Sequence, residues 1–143
     1  MQIKNIMTRD LTTINPDTTI KEAAKIMKDI NVGSIPVTDG NKPVGIITDR
    51  DITIRNVAED KDENTPVKQI MTKNIITGSP DMSPDEAARI MSENQIRRLP
   101  IVENNELIGI VALGDLAVQA KTNMEAGEAL SNISTPSKPE QDN

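Results

Sequence analysis

The chain has no cysteine, no histidine and no aromatic residue among its 143 positions. Without thiols or imidazoles there is no disulfide framework, no zinc site on the usual ligands, no thiol nucleophile and no histidine acid–base device. Without Phe, Tyr or Trp nothing can stack on a nucleobase, and a formal net charge of -6 disfavours a phosphate backbone. Nucleic acid is therefore not an expected partner. No apolar run approaches the roughly 20 residues of a membrane span, and no signal-peptide pattern opens the chain. The expectation is a cytoplasmic protein with no membrane partner.

What is present is a repeat. Sliding the chain by 64 residues aligns Ile3–Arg55 with Val67–Gln119 without a gap, and 17 of the 53 aligned positions are identical. Met7-Thr8 meets Met71-Thr72, Pro16-Asp17 meets Pro80-Asp81, and EAAKIM at 22–27 meets EAARIM at 86–91. Each half is thus the same structural unit.

Within a unit, TTI at 12–14 and IIT at 75–77 read as short strands before a Pro-Asp turn. A helix follows, with Thr19 and Glu22, or Ser83 and Glu86, spaced as a capping box and Pro84 at the favoured first helical position. Ile20, Ala23, Ala24 and Met27 recur at helical spacing and form one buried stripe. Two strands then flank a polar turn, SIPV and PVGIIT in the first unit, LPIV and LIGIVA in the second. A second helix starts near Asp49 and near Leu113. The order is strand, helix, strand, strand, helix, twice, an α/β architecture. A unit of about 55 residues buries too little surface alone, so two should pack sheet to sheet. The divisions are 1–58 and 67–122 for the repeats, 59–66 for a polar linker, and 123–143 for a polar tail whose composition predicts disorder.

At these residues the chain resembles a tandem pair of CBS domains, the Bateman module, of the small stand-alone bacterial kind. The resemblance rests on two glycine-led frames at fixed spacing, GIITDRD at 45–51 and GIVALGD at 109–115, each preceded by a strand holding Pro36 or Pro100 and by a capped helix. It implies a non-catalytic regulatory module that binds an adenine nucleotide (AMP, ADP or ATP) in two clefts between the repeats, reports occupancy to an effector protein and homodimerises through its helices. Alternatives are an interaction module with vestigial clefts, or one that takes S-adenosylmethionine or NAD.

Carried over by position, one cleft would hold Thr48, Asp51, Met71, Ile76, Ile96, Arg97 and Arg98. Asp51 would accept from ribose hydroxyls, and Thr48 and the arginine pair would meet phosphate. The mirrored cleft would hold Met7, Thr12, Val32, Gly33, Arg50, Gly114 and Asp115. Thr48 and Asp51 also match a capping box, Met71, Ile76 and Ile96 equally suit a core, and Arg50 suits a solvated helix end. Since Ala112 replaces Thr48 and Gly33 replaces Arg97, the Asp51 cleft is expected to be the tighter. No catalytic residue, intrinsic cofactor or metal site is expected. Asp49 and Asp51 alone make a poor cation site, and Mg²⁺ would come with the nucleotide.

Overall fold

The structure, a computed structural model, describes residues 1–121; the expectation for the tail lies outside the described residues. Helix α1 spans Ile20–Ile30 and starts at Thr19, whose Oγ1 accepts from the Glu22 N–H at 3.2 Å. Its counterpart α3, Pro84–Glu93, starts at Ser83 in the same way, at 3.1 Å from the Glu86 N–H. Only this half of each expected capping box forms. In α1 the linker supplies the rest: Thr65 O accepts from Ile20 N and Glu63 O from Lys21 N, both at 2.9 Å. The first-turn donors that a helix leaves orphaned are thereby satisfied. In α3, Pro84 has no donor to satisfy. The linker between the repeats is thus a strap across the start of α1, held at its near end by buried Asn56, whose Nδ2 donates to Asp62 O.

Strands β1 (Ser34–Asp39) and β2 (Lys42–Thr48) form one antiparallel pair, and β3 (Arg98–Glu103) and β4 (Glu106–Ala112) the other. Ser34 lies opposite Thr48, and Arg98 opposite Ala112. The second hairpin turns on Asn104 and Asn105, both with positive φ, which matches the twist of the flanking strands. Each β pair ends in a helix. After β2 comes α2, Asp49–Asp51, continued by a π-helical segment Ile52–Val57; after β4 comes α4, residues 113–121. The Thr53 hydroxyl donates to Asp49 O at 3.0 Å, and Ala58 N reaches back five residues to Thr53 O. Such a side-chain bond to the preceding turn competes with the regular ladder and loosens it.

The expected first strand of each repeat is reduced to a single rung. Ile14 bridges Val37 and Gly78 bridges Ile101, both in parallel sense, and the sheets are two-stranded. The next rung of a parallel ladder would need an N–H from position 16 or 80, and both are proline.

The two sheets meet where β2 contacts β4. The hydrophobic core is two clusters, and each borrows from the other repeat. Ile3 and Met7 lie in the cluster of repeat two with Met91, Leu99 and Val111; Val67, Ile70 and Met71 lie in that of repeat one with Met27, Ile35 and Ile47. Reciprocal hydrogen bonds hold the exchange: Ile3 N to Met82 O and Val67 N to Thr18 O, each 2.8 Å, then Thr8 with Ile110 and Thr72 with Ile46 across the frames. Lys4–Asp81 and Lys68–Asp17 repeat the relation at the surface. The repeats are therefore related by a local two-fold, and their opening turns are swapped across it.

The swap explains the glycine that leads each frame. A Cβ on Gly45 would lie 2.7 Å from Met71 Sδ and 2.8 Å from Thr72 O, and one on Gly109 2.5 Å from Met7 Sδ and 3.1 Å from Thr8 O. The opening turn of one repeat sits directly on the strand of the other.

Candidate functional site

The two frames put an aspartate at the same place, three residues into a helix, with opposite consequences. Asp51 is 7% exposed. Its Oδ2 accepts from Thr48 N at 3.1 Å while Thr48 Oγ1 accepts from Asp51 N at 3.0 Å, a complete capping box. Thr72 Oγ1 donates to the same Oδ2 at 3.5 Å, and Arg55 Nε lies 3.8 Å from Oδ1. Asp51 is thus surrounded by donors of its own chain. Asp115 has Ala112 where Asp51 has Thr48, no box can form, and its exposed carboxylate has no partner among the described residues.

Asp115 lines a cleft of ≈ 180 Å³ between the repeats. Repeat one supplies Thr8, Asp10, Leu11 and Thr12 from the turn after its opening segment, Ile30 and Val32 from the end of α1, and Ser34 to Pro36 from the start of β1. Repeat two supplies Arg98, Ile110, Ala112 and Asp115. Apolar walls, the hydroxyl residues Thr8, Thr12 and Ser34, the carboxylates of Asp10 and Asp115 and the Arg98 guanidinium therefore converge, a combination suited to a small polar ligand with an apolar body.

A larger cavity, ≈ 390 Å³, lies within repeat two, where Ala88, Met91, Ile96, Arg97 and Leu113 line it. Among the described residues its wall is mostly aliphatic, with the polar Ser92 and Gln95, one cationic side chain and no carboxylate. The chemistry converges in the smaller one, and size does not decide between them.

Of the residues assigned to the Asp115 cleft from sequence, the structure brings Thr12, Val32 and Asp115 together. Met7 does not join them: it is core, and its N–H donates to Ile3 O. Gly33 faces Asp49, whose Oδ2 would lie 3.1 Å from a Cβ there, and no atom crowds Gly114. Arg50 is an exposed residue of α2 and is not part of the cleft lining.

Of the other set, Thr48 and Asp51 are together but bonded to each other. Met71 is core beneath Gly45, with its N–H donated to Val67 O, so it presents neither side chain nor donor. Ile76 is 38% exposed, and Ile96 packs on the second cluster. Arg97, in the bend before β3, lines the larger cavity, and Arg98, the first residue of β3, lines the Asp115 cleft, so the pair is split between two places. Asp49 Oδ1 accepts from Arg50 N, which leaves Asp49 and Asp51 serving their own helix.

Sequence reasoning missed Ser34, Asp10 and Leu11. The signal for Ser34 was available, since the 64-residue register pairs it with Arg98. Asp10 and Leu11 became visible only with the fold of the loop after Thr8.

The CBS domain model matches residues 3–55 and 67–119. The CBS domain-containing protein YhcV of Bacillus subtilis is 49% identical over 132 residues, 92% of this chain and 94% of that protein. The CBS domain pair of protein MJ0100, solved with 5′-methylthioadenosine and S-adenosyl-L-methionine, superposes with a TM-score of 0.76 at 31% identity, covering 86% of this chain and 98% of that one. CBSX2 in complex with AMP superposes at 0.73 with 25% identity, covering 87% and 98%. With two matched repeats, exchanged opening turns and a cleft between them, the chain belongs to the CBS-domain family as a tandem pair.

Proposed function

We propose that this CBS pair is a non-catalytic regulatory module that binds an adenine nucleotide, and that the Asp115 cleft is its principal site. The observation that carries this reading is that the Asp115 carboxylate and the Arg98 guanidinium, neither with a partner among the described residues, line the same cleft. A carboxylate accepts both hydroxyls of a ribose, and a guanidinium donates two parallel bonds to a phosphate. Between them, Ile30, Val32, Pro36 and Ile110 offer aliphatic walls for a base. The AMP complex of CBSX2 and the methylthioadenosine and S-adenosyl-L-methionine complex of the MJ0100 pair support the class of ligand. This order of the clefts reverses the one expected from sequence, because Arg98 also lines the Asp115 cleft and Asp51 is engaged internally.

A second reading has an observation of its own. The capping box that occupies Asp51 suits a cleft kept for structure, so the Asp51 side is the weaker site or a vestigial one. No helix among the described residues is long and apolar enough to cross a membrane, and a cytoplasmic sensor reporting to an effector protein fits this reading. Homodimerisation through the helices belongs to it too: Ile54 and Val57 after α2, with Leu113 and Val118 on α4, are exposed apolar side chains.

A thermal-shift series with AMP, ADP, ATP, NAD and S-adenosylmethionine tests it. An adenine nucleotide should raise the melting temperature with a shift that grows with its concentration. A shift by S-adenosylmethionine alone, which has no phosphate for Arg98, replaces the nucleotide with that ligand. No shift at millimolar concentration of any of them leaves an interaction module as the better account.

A further inference from the structure

We infer that Arg98 is shared by the two clefts, so that a phosphate bound in one weakens phosphate binding in the other. Resting on the nucleotide reading above, the inference adds a coupling between its sites. Ser34 and Arg98 occupy equivalent positions of the two repeats, and both line the Asp115 cleft. Two positions that a two-fold exchanges can line one cleft together only if they stand beside the axis, and the same two-fold then puts both on the border of the Asp51 cleft. The reciprocal bonds of the swapped opening turns, Ile3 to Met82 and Val67 to Thr18 at the same 2.8 Å, show that the two-fold holds locally.

Among the described residues Arg98 is the one cation lining the Asp115 cleft, against the carboxylates of Asp10 and Asp115. It is exposed and has no partner among the described residues, so its side chain can turn to either side. Arg97 lines the cavity inside repeat two and is not part of the Asp115 cleft lining. A single guanidinium therefore serves two phosphate positions. The first nucleotide takes it, and the second meets a cleft without its cation, next to the first ligand's negative charge.

Calorimetric titration of the wild type with AMP and with adenosine, and then of Asp115→Asn with and without Arg98→Ala, tests this. AMP should bind the wild type in two steps. In Asp115→Asn the remaining Asp51 cleft should bind AMP about tenfold more tightly than the wild type's second step, because Arg98 is free to serve it. The gain should vanish when Arg98→Ala is added, and adenosine should show no gain in either background. A single wild-type step supports the inference if Asp115→Asn reveals Asp51-side binding that the wild type lacks, and overturns it otherwise. A remaining step no tighter than the wild type's second overturns it as well. So does a gain that survives Arg98→Ala, which would be a general effect of removing a negative charge. If the wild type binds neither AMP nor adenosine, the nucleotide reading itself falls, and the coupling with it.

Discussion

At the scale of single residues, one difference between the repeats redirects a geometry they otherwise share. Asp51 and Asp115 stand at equivalent places, and the difference between them is set by Thr48 against Ala112. A threonine at the helix cap recruits the aspartate three residues on, whereas an alanine leaves it to whatever enters the cleft. Ala112→Thr should therefore rebuild the box in repeat two. The expected outcome is a gain of about 0.5–2 kcal/mol in stability by chemical denaturation, together with weaker AMP binding, by about tenfold, as Asp115 turns from the cleft to its own helix. A stabilised variant with unchanged affinity would show that Asp115 is not the ribose acceptor.

Among the secondary-structure elements, the glycines separate two kinds of position that look alike in sequence. Gly45 sits under the opening turn of the other repeat, where a Cβ would meet Met71 Sδ at 2.7 Å and the backbone oxygen of Thr72 at 2.8 Å. The backbone cannot retreat as a side-chain end can, and overpacking costs about 1–3 kcal/mol. Gly45→Ala should lower the unfolding free energy by that amount. Gly114, in the first turn of α4 with nothing within 4 Å of a Cβ, is the opposite case. There an alanine relieves the entropy cost of a helical glycine, and Gly114→Ala should raise stability by about 0.5–1 kcal/mol. Parallel denaturation curves of the two variants check both signs.

For the whole molecule, the exchanged opening turns make each repeat part of the other's core. Ile3 is fully buried among the residues of repeat two, although it is the third residue of repeat one. Ile3→Ala should cost about 2–5 kcal/mol, as for other large-to-small changes in a core. Amide hydrogen exchange should show the loss first in β3 and β4, with β1 and β2 less affected, since the missing side chain belongs to their partner's cluster. Were β1 and β2 to lose protection first, the exchange of turns would not hold in solution. The exposed apolar side chains after α2 and on α4 lead to a different expectation: light scattering at micromolar concentration should give about twice the 15.6 kDa mass of one chain. A monomer mass would mean that those side chains remain in water.

The repeat, its period, the helices and the hairpins were legible in the sequence because they rest on local rules. Apolar residues at helical spacing between Thr19 and Ile30, and two short apolar runs about a polar turn, need no knowledge of the partner repeat. The absence of histidine and cysteine likewise removes thiol and imidazole chemistry on composition alone. The CBS resemblance was legible for the same reason, being carried by spacing along the chain. What only the tertiary structure decided is everything that depends on which repeat a residue packs against. Met7 and Met71 carry the same sequence signal whether they line a cleft or fill the neighbour's core, and the swap makes them core. Arg97 and Arg98 are adjacent in the chain, yet one lines the cavity inside repeat two and the other the cleft between the repeats. Thr48 and Asp51 match both a ligand site and a capping box, and that the box forms is shown by hydrogen bonds of about 3 Å that spacing alone does not determine. The site is a meeting of two halves, and a pattern read along one chain cannot say where its halves meet.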